Sequence, residues 1–351
     1  MKVLVAMSGG VDSSVAAALL LDAGHDVTGA TMKLWGGASD SGCCSAADVD
    51  DARRVAQQLG IDHFTFGFSD DFEADVVAPY VAAHAAGRTP NPCIECNRHI
   101  KFAAVDERAR ALGFDAVATG HHARITTLDD GTRRVARAAD VAKDQSYVLH
   151  MLDQDQLART LFPVGAMQKA DVRSRAAELG LRTATKPDSQ DVCFITRTRG
   201  RGSFLSDRIP LTPARVVDTA GTPIGSVSAV QMVTLGQRRG LGLAGGGGPR
   251  YVIDVDRSTA TVTVGRGADL LVAEQRMTAL TWADGPVAGQ VAVQASAHGR
   301  PYPATVAVDA DPDDPSCGAV RWADPRRRIA PGQSLVAYLG DLVVGGGVAT
   351  S

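Results

Sequence analysis

Three groups of residues in this chain could do chemistry. Ser8-Gly9-Gly10-Val11-Asp12-Ser13-Ser14 packs glycines, hydroxyls and a carboxylate into one short stretch. Glycines let a backbone turn tightly and point its N–H groups inward. A helix start adds unpaired donors and partial positive charge, so the string suits a polyphosphate. A bare Ser-Gly-Gly is an ordinary capped turn; the full string between a strand and a helix points to phosphate. It lacks the Lys-Ser/Thr ending of the Walker loop and the spacing of a dinucleotide fingerprint. The second group is Cys93 and Cys96, in Arg88-Thr89-Pro90-Asn91-Pro92-Cys93-Ile94-Glu95-Cys96-Asn97. Two prolines stiffen this loop, and a helix is predicted after it, from about Ile100. A nearby helix start, Arg98 and Lys101 would all favour thiolates. The third is Cys193, in Lys186-Pro187-Asp188-Ser189-Gln190-Asp191-Val192-Cys193-Phe194-Ile195.

The chemistry of these thiols stays open at this level. Six cysteines in 351 residues, Cys43, Cys44 and Cys317 being the others, are no disulfide scaffold. They are core fillers, metal ligands or redox groups. Cys93-x-x-Cys96 is half of a zinc knuckle, but the sequence has no second CxxC to complete four ligands. A cysteine flanked by Phe and Ile, as Cys193 is, usually fills a core.

The elements that must position these groups alternate. Residues 2–7 read as a buried strand, 26–34 as a second, 63–68 as a third and 116–119 as a fourth. Helices are predicted from Asp12 to near Gly24, from Ser45 to Gly60 with Val49, Ala52, Val55, Ala56 and Leu59 as the apolar stripe, over 70–86, and over 100–112. Such alternation predicts a doubly wound parallel sheet, whose ligands bind beyond the carboxyl ends of its strands. After about residue 205 the helical period fades. Short Val- and Thr-rich runs at 214–218, 250–256, 260–264, 290–295, 303–308 and 334–339 predict an all-β remainder, and Gly245 to Gly248 predict a flexible loop. The expected division is a nucleotide-binding catalytic domain over 1–204, a small central β domain over 205–270 and a β-barrel over 271–351.

Taken together, SGGVDSS, RTPNPCxxCN, IKF (100–102), KDQSY (143–147), LFPVG (161–165), DSQxxCFI and TLGQRRGLG (234–242) resemble the tRNA-specific 2-thiouridylase family of the PP-loop ATP pyrophosphatases. The likeness runs in order from residue 3 to Pro331-Gly332-Gln333. It implies an ATP- and Mg2+-dependent enzyme that adenylates a uridine oxygen in tRNA and replaces it with sulfur. Nucleotide-binding positions are implied at Ala6, Met7, Ser8, Gly9, Gly10, Val11, Asp12 and Ser13, with Met32 and Gly120 beside the adenosine. Catalytic roles are implied for Cys96 and for Cys193, the latter as the persulfide carrier, closing to a disulfide after each turnover. Contacts to tRNA are implied for Asn91, Pro92, Cys93, Lys143, Asp144 and Gln145. Cys93 stands where some members carry aspartate. An Arg-Tyr pair frequent in the family is absent from 294–302, where Arg300 and Tyr302 stand instead. A sulfur-donor protein and a reductant are implied partners.

Net charge is −3, so RNA binding calls for local patches. Arg197, Arg199, Arg201 and Arg208, then Arg238 and Arg239, then Arg326, Arg327 and Arg328, are the candidate patches. The apolar run Met1 to Met7 is too short for a signal peptide, and no stretch is long enough to span a membrane, so a cytoplasmic protein is expected. Rival readings keep the phosphate loop with a nitrogen nucleophile, or use Cys93, Cys96 and Cys193 to hold an iron–sulfur cluster.

Overall fold

The computed structural model describes residues 1–34, 45–188, 192–195, 200–243, 248–308 and 316–350. Cys43, Cys44, Arg197, Arg199 and most of the 245–248 run lie outside the described residues.

The first unit is built on five parallel strands: β1 (Lys2–Ala6), β2 (Asp26–Lys33), β3 (His63–Gly67), β4 (Ala116–Thr119) and β7 (Thr160–Leu161), in the order β3-β2-β1-β4-β7. Alternate side chains of β1 enter opposite cores. Leu4 and Ala6 join Met32, Phe72, Ile100 and Cys96 on one face. Val3 and Val5 join Val15, Ala52 and Val55 on the other. That two-residue period is the one a sheet covered on both faces requires.

Helix α1 (Val11–Asp22) follows β1 directly and is buried along most of its length. Helix α2 (Ala46–Leu59) starts as its sequence predicts. The Ser45 hydroxyl accepts from the Asp48 N–H and the Asp48 carboxylate accepts from the Ser45 N–H. Such reciprocal caps stabilise a helix by about 1 kcal/mol. Gly60, at φ +71°, ends it in the left-handed conformation that glycine adopts without penalty.

The helix after the two prolines departs from expectation. It begins at Pro92, not near Ile100, and runs through Pro92–Glu95, a π-helical stretch Cys96–Ala104 and Val105–Ala111. Asn91 caps it, its side chain accepting from Cys93 N–H at 3.0 Å, and Pro92 takes the first helical position, where a missing N–H costs nothing. Cys93 and Cys96 are therefore helical residues one turn apart. The expected helix over 70–86 appears as Ser69–Phe72, a π segment Glu73–Val77 and Ala78–Ala85. Wide turns of this kind cluster at functional sites.

A hairpin, β5 (Arg124–Thr127) and β6 (Arg133–Ala136), leaves this unit and pairs with the last strand of the chain. The middle unit holds β8 (Ala214–Val217), β9 (Pro223–Val227), β10 (Tyr251–Asp256) and β11 (Thr261–Gly265), ordered β10-β11-β8-β9. The final unit holds β12 (Leu271–Trp282), β13 (Gln290–Gln294), β14 (Tyr302–Val308), β15 (Gly318–Arg327), β16 (Ser334–Leu339) and β17 (Leu342–Ala349). They run in the order β12-β15-β14-β13-β16-β17, and β12 also pairs with β17, so the six strands close into a barrel.

Parts of two motifs serve as joints. In KDQSY, Tyr147 is buried and donates to the Ser334 carbonyl at 2.9 Å, and the Ser146 hydroxyl meets Tyr338 Oη at 3.1 Å, both across the barrel junction. In LFPVG, Gly165 packs directly on the Ala123 carbonyl, leaving no room for a Cβ. Among the described residues no helix is long and apolar enough to cross a membrane.

Candidate active site

Between β1 and β4 the chain reverses its direction of winding, the point at which such sheets bind ligands beyond the carboxyl ends of their strands. Ser8 to Ser13 lie there, at the end of the central strand. Met32 is the penultimate residue of the neighbouring β2, and Gly120 follows β4. All the expected nucleotide positions thus meet along one sheet edge.

The loop is held by its own hydroxyls. Ser13 Oγ accepts from Ser8 N–H at 3.2 Å, and Ser13 and Ser14 donate to the Gly10 carbonyl. Gly9 adopts φ +70° and lies against the Asp48 backbone, so both its conformation and the contact demand glycine. Gly10, at the helix N-cap, brings no side-chain cap, leaving the first-turn N–H donors of α1 for a ligand. A Cβ on Gly120 would come within 2.5 Å of Ser13 N and 2.7 Å of the Asp12 carbonyl carbon. Gly120→Ala should therefore push the loop out of shape. Its affinity for ATP is expected to fall about tenfold or more, read by equilibrium binding, since overpacking of this kind typically costs 1–3 kcal/mol.

Asp12 sits at the centre of a charged network that the sequence did not reveal. Lys169 Nζ lies 2.7 Å from both its carboxylate oxygens, and His122 Nε2 lies 3.0 Å from Oδ1. Burial works to raise the Asp12 pKa, but hydrogen bonds from His122 and Lys169 hold it below the usual carboxylate range. Asp188 accepts from Lys143, Lys169 and Arg173. Burial opposes its ionisation too, and the two lysines hold it well below the ordinary value. Lys186 bonds Asp48, Asp51 and the Gly9 carbonyl. Lys169 stands in no motif, whereas Lys143 opens KDQSY and Lys186 and Asp188 belong to the second cysteine string.

This donor set fits the polyphosphate of ATP: an uncapped helix start and four cations, Lys143, Lys169, Arg173 and Lys186, lie around the glycine turn and its carboxylates. Among the described residues no group of three or more histidine, cysteine or acidic side chains is placed to hold a metal ion, and Asp12 and Asp188 are already paired with Lys143, Lys169 and Arg173.

The expected sulfur residues both pack on one apolar cluster under the sheet. Cys96 is buried, 7 % exposed, in the apolar cluster under β1 and β2, and Cys193 is half-buried against the same cluster. The core-filling part in the second cysteine motif falls to Phe194, not Cys193. Its ring packs on Phe72 at 5.8 Å, Tyr80 at 5.3 Å and Phe204 at 5.1 Å. Aromatic contacts of this kind anchor the segment and leave the cysteine beside it at the cluster's margin. Cys93 is exposed.

Beside the cysteines a cavity of about 250 Å³ opens between the first unit and the barrel, lined by His84, Asn91, Pro92, Val192, Arg201 and Gln333 among others. The loop bearing Asn91 is strapped to the barrel: Thr89 N–H donates to the Pro331 carbonyl at 2.8 Å, and the Gln333 amide donates to the Thr89 carbonyl. Burial, with Arg201 and Arg257 nearby, pushes His84 down to about 4, so it faces the cavity as a neutral imidazole.

Two groups of polar candidates have internal partners. The Asp144 carboxylate is turned inward, accepting from Arg137, Ser146 and the Ala138 N–H. Of the late arginines, Arg327 stacks on Tyr251 at 4.8 Å and Arg328 donates to the Ile253 carbonyl, so both join the barrel to the middle unit. Arg326 stacks on Tyr302 at 3.9 Å. Arg201, Arg208, Arg238 and Arg239 are exposed.

Comparison with known proteins covers the whole chain. Residues 1–197 match the tRNA methyl transferase HUP domain, 202–266 the tRNA methyl transferase PRC-barrel domain and 273–349 the aminomethyltransferase beta-barrel domain. The tRNA-specific 2-thiouridylase MnmA of Chloroflexus aurantiacus is 46 % identical over 99 % of this chain and 97 % of its own length. The MnmA protein of Mycobacteroides abscessus is 47 % identical over 100 % and 99 %. That of Kineococcus radiotolerans is 48 % identical over 98 % and 97 %.

Proposed function

Because the chain belongs to the tRNA-specific 2-thiouridylase family, we propose that it replaces the 2-oxygen of the wobble uridine of tRNA with sulfur, using ATP at the Ser8–Ser14 loop and two cysteines beside it. The observation that carries this reading is that Cys96, within one apolar cluster, and Cys193, packed against it, are far apart in sequence yet share the cluster that Leu4 and Ala6 of β1 enter, the strand that leads into the nucleotide loop. The domain families that match carry a methyl-transferase name. A phosphate cradle and two thiols packed on one cluster of the same unit suit the thiouridylase name of the full-length relatives.

The chemistry follows from what each part can do. A uracil oxygen is a poor leaving group. Its attack on the α-phosphorus of ATP forms the O2–phosphorus bond, breaks the bond to the bridging oxygen and releases pyrophosphate. The O-adenylated carbon can then lose AMP. The outer sulfur of a Cys193 persulfide attacks that carbon, and Cys96 attacks Cys193 Sγ to release the thiolated base; alternatively, Cys96 first frees sulfide, which attacks. In either order the transferred sulfur is reduced and the two cysteines are oxidised to a disulfide, which an external reductant reopens. A sulfur-donor protein reloads Cys193, and the cytoplasm is where this chemistry would run.

A base stacked in the anticodon is out of reach, so it must flip into a pocket. The cavity beside Asn91 and Pro92 is the pocket we assign to it; neutral His84 adds no charge there, while Arg201 supplies a cation at the rim. With Arg208, Arg238 and Arg239, Arg201 offers phosphate contacts whose strength falls with salt. The Lys143, Asp144 and Gln145 segment would then meet tRNA through Gln145 and its backbone, since Asp144 is spent inside.

Incubation of the full chain with tRNA, ATP, magnesium and a persulfide source, followed by mass spectrometry of the nucleosides, tests the reading. The expected product is 2-thiouridine at the wobble position, dependent on ATP. ATP-independent product, or none, counts against it.

A further inference from the structure

The cations around the nucleotide loop do unequal work. Lys186 binds the Gly9 carbonyl at 2.9 Å, and Arg173 binds the carbonyls of Ala184 and Lys186 at 2.8 and 3.0 Å, so both fix backbone. Lys143 and Lys169 differ. Among the described residues, the recorded bonds of their ammonium groups go to two carboxylates alone: Lys143 to Asp188 at 2.8 Å, and Lys169 to Asp12 at 2.7 Å and Asp188 at 3.0 Å. With Arg173 at 2.6 Å from Asp188, three cations share the two carboxylates beside the uncapped start of α1. Lys169 is 8 % exposed, and its two carboxylate partners are what allow its ammonium group to stay so buried.

We infer that Lys143 and Lys169 grip the polyphosphate of ATP and then the departing pyrophosphate, with the Asp188 carboxylate holding both ammonium groups in place until the nucleotide arrives. The inference rests on the ATP-using reading of the loop and deepens it. As the bond to the bridging oxygen breaks, negative charge collects on the pyrophosphate, and preplaced ammonium groups offset it where it develops. Asp188 is then a competitor of the ligand as well as a holder. Lys143 thereby has a role on the nucleotide side, separate from the tRNA contact that family likeness implies for it.

The competition gives an outcome that a purely structural network would not. Binding of inorganic pyrophosphate, and separately of ATP, to the full-length protein without tRNA is measured by calorimetry at low salt. Lys143→Met and Lys169→Met should each weaken pyrophosphate binding by about tenfold, the worth of one charge-assisted contact. Lys143→Arg should retain most of the affinity. Asp188→Asn, whose amide competes less for the lysines, should tighten binding by about threefold. If Asp188 only braced the fold, its loss would loosen the lysines and weaken binding. Should Lys169→Met fail to fold, with Asp12 and Asp188 left uncompensated, Lys143→Met and Asp188→Asn still decide the matter. Unchanged affinity in Lys143→Met, or weaker binding in Asp188→Asn, overturns the inference while leaving the function intact. A wild-type protein that binds neither ATP nor pyrophosphate overturns the inference and the nucleotide reading together.

Discussion

Cys193→Ser is expected to abolish thiolation while uridine adenylation continues. The substitution removes the atom proposed to carry the transferable sulfur, and no neighbouring group takes its place in either sulfur-transfer order. Loss of a covalent group in a concerted set typically costs at least about a thousandfold. The packing argues that the effect will be chemical. Phe194, held by Phe72, Tyr80 and Phe204, anchors the segment, whereas Cys193 lies at the cluster's margin. A single-atom change there leaves those contacts in place. Release of pyrophosphate dependent on tRNA, together with nucleoside analysis, separates the two half-reactions. Thiolation persisting in this variant would remove Cys193 from the mechanism.

Cys96→Ser is the second large expected loss, with a different signature. Cys193 could still be loaded as a persulfide in this variant, so the protein should accumulate sulfur detectable by mass on the Cys193 peptide. Multiple turnover should stop, because serine cannot cleave the sulfur–sulfur bond. Serine is nearly isosteric, and the site, although buried, lies in a helix fixed by Ile94 and Ile100 on either side. A folded protein is therefore expected. Full activity in Cys96→Ser would show that the buried thiol is packing alone.

Much of the catalytic unit was legible because its signals are local. Ser45 and Gly60 bound α2 by capping chemistry that acts over a few residues, and the strands that bracket the nucleotide loop are short apolar runs. The start at Pro92 was missed although Asn91-Pro92 is itself a cap followed by a first helical residue. Two prolines suggested a loop, and only the tertiary placement of Ile94 in a core shows the turn to be helical. The barrel was less legible. β17 reads Leu-Val-Val-Gly-Gly-Gly-Val-Ala, and its glycines look like a loop in sequence. In the fold they are required: Cβ atoms on Gly345, Gly346 and Gly347 would meet Trp282, His150 and Met277. β12 hides its period because it bulges twice while bridging β15 and β17.

At the site, the glycine loop and the cysteines were visible because their residue types are rare and closely spaced. Lys169 and His122 were not. Each is an ordinary residue whose meaning lies in a contact with Asp12 across more than a hundred positions of chain. The late arginines show the opposite failure: a basic run that suggests nucleic acid places Arg327 and Arg328 on a domain joint.

The claim on which the account turns is that Cys96 and Cys193 pass through a shared sulfur–sulfur bond. Its most direct test is a single turnover of persulfide-loaded protein with tRNA, ATP and magnesium in the absence of reductant, followed by peptide mapping without reduction. A Cys96–Cys193 disulfide formed in proportion to 2-thiouridine is the predicted result. Thiouridine formed with both cysteines still reduced, or with Cys193 joined to another cysteine instead, would contradict the account.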